Sequence, residues 1–268
     1  MSLTKLAPRV VAGLCCLSAL IAAPRSVPPK LVLWSWYGED DLRFLKGSDT
    51  GVAYLALSLR FEGRDEVIPS PREMPLRTAP NTWLMPVIRF DFEAYDARLK
   101  PAFSERQRQL AARMIAEIAS VAHAQAIQID FDAPQSAYPF YRQLLQEVRR
   151  RLGPNVFLSM TALVSWCETP KSWLSALPVD EIVPMAFYMG QATPAITTKL
   201  ARGGTFAYPG CRNSIGVQLE TGTAVRFGVW RGDGESVKPR KNQRAYFFAQ
   251  PSRWSLKTVR LAQEAILP

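Results

Sequence analysis

Eight strand-like runs, most of them followed by a helix-like run, constrain this chain more than any other feature. Residues 31–37, 52–61, 83–92, 126–132, 156–162, 181–188, 214–220 and 245–250 are short, apolar and rich in β-branched and aromatic residues. Helical spacing recurs between them at 104–123, 138–152, 171–177, 196–201 and 256–266. Such alternation predicts a parallel sheet with crossover helices. Eight strands in 268 residues predict a closed α/β fold, a (β/α)8 TIM-like barrel. No helical pattern follows the seventh strand, so the helix there is irregular or missing, and an incomplete barrel is the alternative. Ser104 suits an N-cap, with Leu110, Met114, Ile118 and Val121 as the apolar stripe of the helix it starts. Segments 69–80 and 231–244 are polar, Pro- or Gly-rich, and read as loops.

The first 26 residues read as a secretory signal, leaving 27–268 as one barrel domain. Lys5 and Arg9 precede an uncharged apolar run from 10 to 23, too short to span a bilayer comfortably. Ala19, Ala22 and Ala23 offer cleavage positions, and Pro24 stands just beyond them. Two alternatives remain at this stage: an uncleaved anchor, the only membrane contact expected, and a lipoprotein at Cys15 or Cys16, disfavoured by the bulk of Leu14. The expected location is the periplasm or the exterior. The net charge is +10, or +7 without Lys5, Arg9 and Arg25, which favours anionic partners such as envelope polymers. The cations are scattered, with no basic stripe interleaved by aromatics, so nucleic acid is not an expected partner. Arg149, Arg150 and Arg151 close a helix, where the dipole favours cations.

In a barrel of this kind chemistry sits at the C-terminal ends of the strands. The fourth strand reads Ile127, Gln128, Ile129, Asp130, Phe131, Asp132. Side chains alternate with period two, so Gln128, Asp130 and Asp132 face the lumen and the apolar residues face the helices. Two carboxylates about 6–7 Å apart on one face repel, which drives their pKa values apart and makes an acid and a charged helper from one residue type. The plainer reading is a solvated pair, or one neutralised by arginine. On other strands Arg89 and Asp91, Ser58 and Arg60, Ser159 and Thr161, and Gln218 and Glu220 each share the polar face. Glu220, on a strand roughly opposite the fourth, is the candidate second carboxylate. Trp36, Tyr37, Trp166 and Tyr188 follow strand ends, where flat rings can carry sugars, whereas Trp34 suits core packing.

Other chemistries are set aside. The only histidine, His123, precedes strand four and belongs at the opposite end of the barrel. That excludes a Ser-His-Asp triad and a histidine-rich metal site. No phosphate-binding or dinucleotide glycine pattern occurs, and neither a cofactor nor a metal is expected. Cys167 follows strand five and Cys211 precedes strand seven, nominally at opposite ends. They can pair only if residues 203–212 wander up the side of the barrel.

The stretches IQIDFDA at 127–133, LSMTALVSWC at 158–167 and LPVDEIVPMAFYMG at 177–190 resemble a bacterial family known only as domain of unknown function 3142. The WSWYGEDDLRFL start at 34–45 adds to the likeness. A more distant similarity is to chitinase-like glycoside hydrolases, whose fourth strand ends in D-x-D-x-E with the glutamate as proton donor. The resemblance puts Asp132 at the donor position and Asp130 at its helper's. Gln128 stands where that motif has its first aspartate, and Phe187 where those enzymes carry a tyrosine. Both departures speak against substrate-assisted chitinase action. The expected function is carboxylate acid/base hydrolysis of a polysaccharide by a monomer. The alternative is a glycan-binding or envelope protein that kept the barrel and lost the chemistry.

Overall fold

Parallel pairing closes on itself around eight strands. A computed structural model describes residues 27–36, 38–92, 99–187, 193–221, 225–227, 237, 239–250 and 254–266. The barrel strands are β1 (Leu31–Ser35), β2 (Thr50–Glu62), β3 (Leu84–Asp91), β4 (Ala126–Asp130), β5 (Phe157–Leu163), β6 (Glu181–Met185), β7 (Ser214–Thr221) and β8 (Arg244–Gln250). Each pairs in parallel with the next, and β1 pairs with both β8 and β2, which completes the ring. The protein is a (β/α)8 TIM-like barrel.

Two apolar layers follow from the period of two. Outward residues such as Ile88, Phe90, Ile127, Ile129, Phe131, Leu158 and Met160 pack under the helices. Inward residues Val32, Trp34, Ala53, Met85, Val87, Val183 and Tyr246 fill the lumen. In β2 a register shift between Leu55 and Leu57 reverses the parity. Val52 therefore faces the helices and Ala53 the lumen, while beyond the shift Leu57, Leu59 and Phe61 take the outer face.

Helices are unevenly distributed: α1 (Glu105–Val121), α2 (Tyr138–Leu152), α3 (Val164–Cys167), α4 (Thr193–Ala201) and α5 (Leu256–Ile266). Ser104 caps α1 in a reciprocal capping box with Gln107. The buried face of α1 is Ala111, Ala112, Ile115 and Ala119, a step round from the expected stripe, and Val121 is 82% exposed. Small residues face the barrel because the helix lies close to it. No helix forms at 171–177, where the chain makes turns instead. Its place as a crossover is taken by the single turn α3. The expected loop at 69–80 is a second departure. Strand Glu66–Pro71 pairs antiparallel with the upper half of β2, and Leu76–Thr78 pairs with Asp40–Leu42. Pro69 and Pro71 are tolerated there because an edge strand has no ladder to break on its outer side. Between β7 and β8, among the described residues, strand Val225–Phe227 folds back on β7 and no helix is present. No described helix is long and apolar enough to cross a membrane.

Cys167 and Cys211 form a disulfide with Cα atoms 5.9 Å apart. They are not at opposite ends. With only one helical turn after β5, the connection to β6 runs down the outside of the barrel. There the Tyr208 amide donates to the Cys167 carbonyl at 2.9 Å. Both sulfurs lie in fully buried residues of the outer core.

Candidate active site at the strand ends

The end of β4 delivers an acidic pair. Arg89 of β3 is the register partner of Asp130 in β4, and Ser58 of β2 is that of Arg89. A row of polar residues thus crosses three neighbouring strands at one level. Asp130 is buried and accepts a hydrogen bond from the Thr161 hydroxyl of β5 at 2.7 Å. Burial first, then the charge of Asp132, pushes the Asp130 carboxyl up from an ordinary 3.8 to about 7. The Thr161 hydrogen bond and the Arg89 charge pull the other way, and Asp91 adds to the rise. Asp132, two residues past the strand's last inward carboxylate, is open to solvent by surface area. Its carboxyl is also raised, through the water that neighbouring protein atoms displace, against the lowering effect of Arg89. Arg89 in turn makes an ion pair with Asp91 at 3.0 Å.

The lumen beneath the pair is solid. Trp34 Nε1 donates to Gln128 Oε1 at 2.7 Å, and Gln128 Nε2 donates to Ser159 Oγ at 3.1 Å. Gln128 is fully buried, so it supports the site from below and does not line it. Gly216 is required beside it: a Cβ there would come within 2.6 Å of the Trp34 ring. Above Trp34 stand Trp36, half-buried, and the stacked rings of Phe187 and Phe248 at 6.1 Å. These partly buried rings pack on the lumen core on the β1, β6 and β8 side.

Other candidates fall elsewhere. Trp166 is buried in the outer core, packed edge-on against Tyr138 and Trp173. Its faces are covered, so it is no platform for a ligand. Arg60 is exposed and pairs with Glu62 at 2.6 Å. Tyr37 and Tyr188 lie outside the described residues. Glu220 lies near the end of β7, its backbone opposite Gln250 of β8, and its side chain is likewise outside the description. Among the described residues no three His, Cys, Asp or Glu side chains gather as metal ligands.

Two participants escaped the sequence reading. Thr161 was placed on the polar face but not singled out; its level opposite Asp130 was the available signal. Tyr141 of α2 gave no signal, being one more apolar-spaced helix residue. It is fully buried, and its hydroxyl has no hydrogen-bond partner among the described residues. Burial, then the charges of Asp130 and Asp132, push its phenol well above the ordinary value. It therefore lies within the electrostatic reach of the pair from the helix side.

Residues 84–184 match the family model described as "Domain of unknown function (DUF3142)". That span runs from β3 to β6 and includes Arg89, Asp91, Asp130, Asp132 and Thr161. Among solved structures, the one described as "putative Chitinase A from Streptomyces coelicolor" is similar at 11% identity. The match covers 88% of this chain and 96% of that chain, with a TM-score of 0.48. No functionally curated protein matches by sequence.

Proposed function

We propose that this protein is an exported carbohydrate hydrolase in which Asp130 and Asp132 work as one acid unit. The observation that carries the proposal is a coupled carboxylate pair at the C-terminal ends of a closed parallel barrel, with both members raised and one at about 7. Such a pair titrates jointly and keeps a proton into the neutral range. Asp130 is the buried reservoir. Asp132, facing solvent, passes the proton to a glycosidic oxygen as the bond to the sugar carbon breaks. The leaving hydroxyl takes the proton, and water replaces it at the sugar carbon. Glu220 is the proposed partner for the developing positive charge or for that water. Trp36 and the Phe187 and Phe248 rings offer apolar surface to sugar C–H faces. Export is supported by the signal-like N-terminus and by a buried disulfide, a bond at home in oxidising compartments.

One observation favours a second reading, a glycan-binding protein without turnover. Gln128, at the first position of the acidic motif, is held inside the lumen by Trp34 and Ser159. Release of reducing ends from a panel of neutral and amino-sugar polysaccharides separates the two. Asp132→Asn is expected to cut turnover about 100-fold or more with an unchanged circular dichroism spectrum and a melting temperature no lower than wild type. Unchanged hydrolysis in that variant overturns the catalytic reading. Glycan binding without product, equal in wild type and in the Asp130→Asn/Asp132→Asn double variant, establishes the second one.

A further inference from the structure

The opposite end of the barrel, where the strands begin, holds a cavity of about 510 Å³, within the usual range for small-molecule sites. Its floor is a buried ionic knot. Glu181, 6% exposed, receives Ser159 and Tyr246 on Oε2 at 3.0 and 2.6 Å, Ser214 on Oε1 at 2.5 Å, and an ion pair from Arg244. Four donors fill the lone pairs of that carboxylate, so it has no capacity left for a cation. Asp180, the other carboxylate of the lining, is held by Arg149 at 2.5 Å and by the Leu158 amide at 2.9 Å.

The cations are not matched in the same way. Arg244 uses Nε on the Pro28 and Pro29 carbonyls and Nη1 on Glu181. Its Nη2, and the ammonium of exposed Lys30, have no partner among the described residues. The amides of Asn213 and Asn242 on the same rim are also without hydrogen bonds among the described residues. Facing these groups is an apolar wall of Phe157, Leu174, Leu177, Val179 and Ile182. Ala176, at the edge of that wall, has φ +59°, a conformation costly for a residue with a Cβ and found where a chain is held in a set shape.

We propose that this cavity binds a small organic anion, with a carboxylate or phosphate head on Lys30 and Arg244 and an apolar body against the Phe157 wall. The site is independent of the acid pair, which lies at the other end of the strands. It is not a hydrolytic centre, since its one buried carboxylate is fully engaged.

Titration calorimetry of the full chain with hexanoate, hexyl phosphate, hexanol and hexylammonium tests the assignment. At least one hexyl anion is expected to bind saturably at one site, and the better head is the one the cavity selects. Binding should weaken tenfold or more in Lys30→Glu, whose exposed position leaves the fold intact by melting temperature. It should weaken similarly when acetate or inorganic phosphate replaces the hexyl compound, and stay unchanged in Asp132→Asn. Binding of neither anion, binding no tighter than that of hexanol or hexylammonium, or indifference to Lys30→Glu each overturns the proposal.

Discussion

Asp130 shows what placing one ionisable residue inside a barrel does. Its native carboxyl holds a proton up to about pH 7, whereas the unfolded chain releases it near 3.8. Between those values the native state binds more protons than the unfolded state, so its stability falls as pH rises through that window. Asp130→Asn removes the cause while keeping an oxygen for the Thr161 hydroxyl. Its melting temperature at pH 8 is expected to exceed wild type by on the order of 2–6 °C, with the difference vanishing near pH 4. A calorimetric scan across pH checks this, and an equal or lower value at pH 8 refutes it. The same shift gives an activity prediction: hydrolysis should decline on the alkaline side of about pH 7 as the pair loses its last proton.

Among elements, the end of β1 is the one held most deliberately. Arg72, just past the edge strand Glu66–Pro71, donates to the carbonyls of Ser35, Trp36, Gly38 and Met74 and to the Ser35 hydroxyl. Buried Asp40 accepts from the same hydroxyl at 2.6 Å, and Trp254 Nε1 donates to the Trp34 carbonyl at 2.8 Å. Strand pairing cannot do this work, because the upper half of β2 has left β1 for the antiparallel edge strand. Arg72 thus fixes the chain that carries Trp36. Arg72→Met should cost about 1.5–3 kcal/mol of stability, the usual worth of hydrogen bonds to a charged group. In glycan hydrolysis it should raise KM more than it lowers kcat, since it shifts Trp36, the proposed binding ring, and not the acid pair. Steady-state kinetics with denaturant unfolding read both.

At the scale of the whole molecule, two long-range fastenings complete the ring where helices are short or missing. The Glu181 knot joins the beginnings of β5, β6, β7 and β8. Glu181→Ala leaves Arg244 part-buried without its carboxylate and should cost about 3–5 kcal/mol. The disulfide links residues 44 apart in sequence and ties the β5–β6 connection to the approach to β7. Replacing both cysteines by alanine should cost about 4 kcal/mol by loop entropy, read as a lower denaturation midpoint of the kind that reducing agent produces in wild type. How much of this was readable beforehand depends on range. The parity of β3, β4 and β5 placed Arg89, Asp130 and Thr161 on one face, because pleating is a local property of the chain. Arg149 was read as a dipole partner at a helix end. Its use as a clamp on Asp180 and on the Pro178 carbonyl, besides the nearby Gly153 and Val156 carbonyls, depends on a segment remote in sequence.

By itself the amino-acid order determined the number of barrel strands, their parallel architecture and which side chains of β3, β4 and β5 turn inward. These follow from hydrophobic period and backbone geometry, which act over a few residues. Only the tertiary structure decided that Gln128 is a strut, that Trp166 is covered, that Thr161 and Arg89 converge on Asp130, and that Cys167 meets Cys211. Each of those outcomes depends on how far a connection runs before it turns back. That distance is set by packing between segments remote in sequence, about which local propensity carries no information.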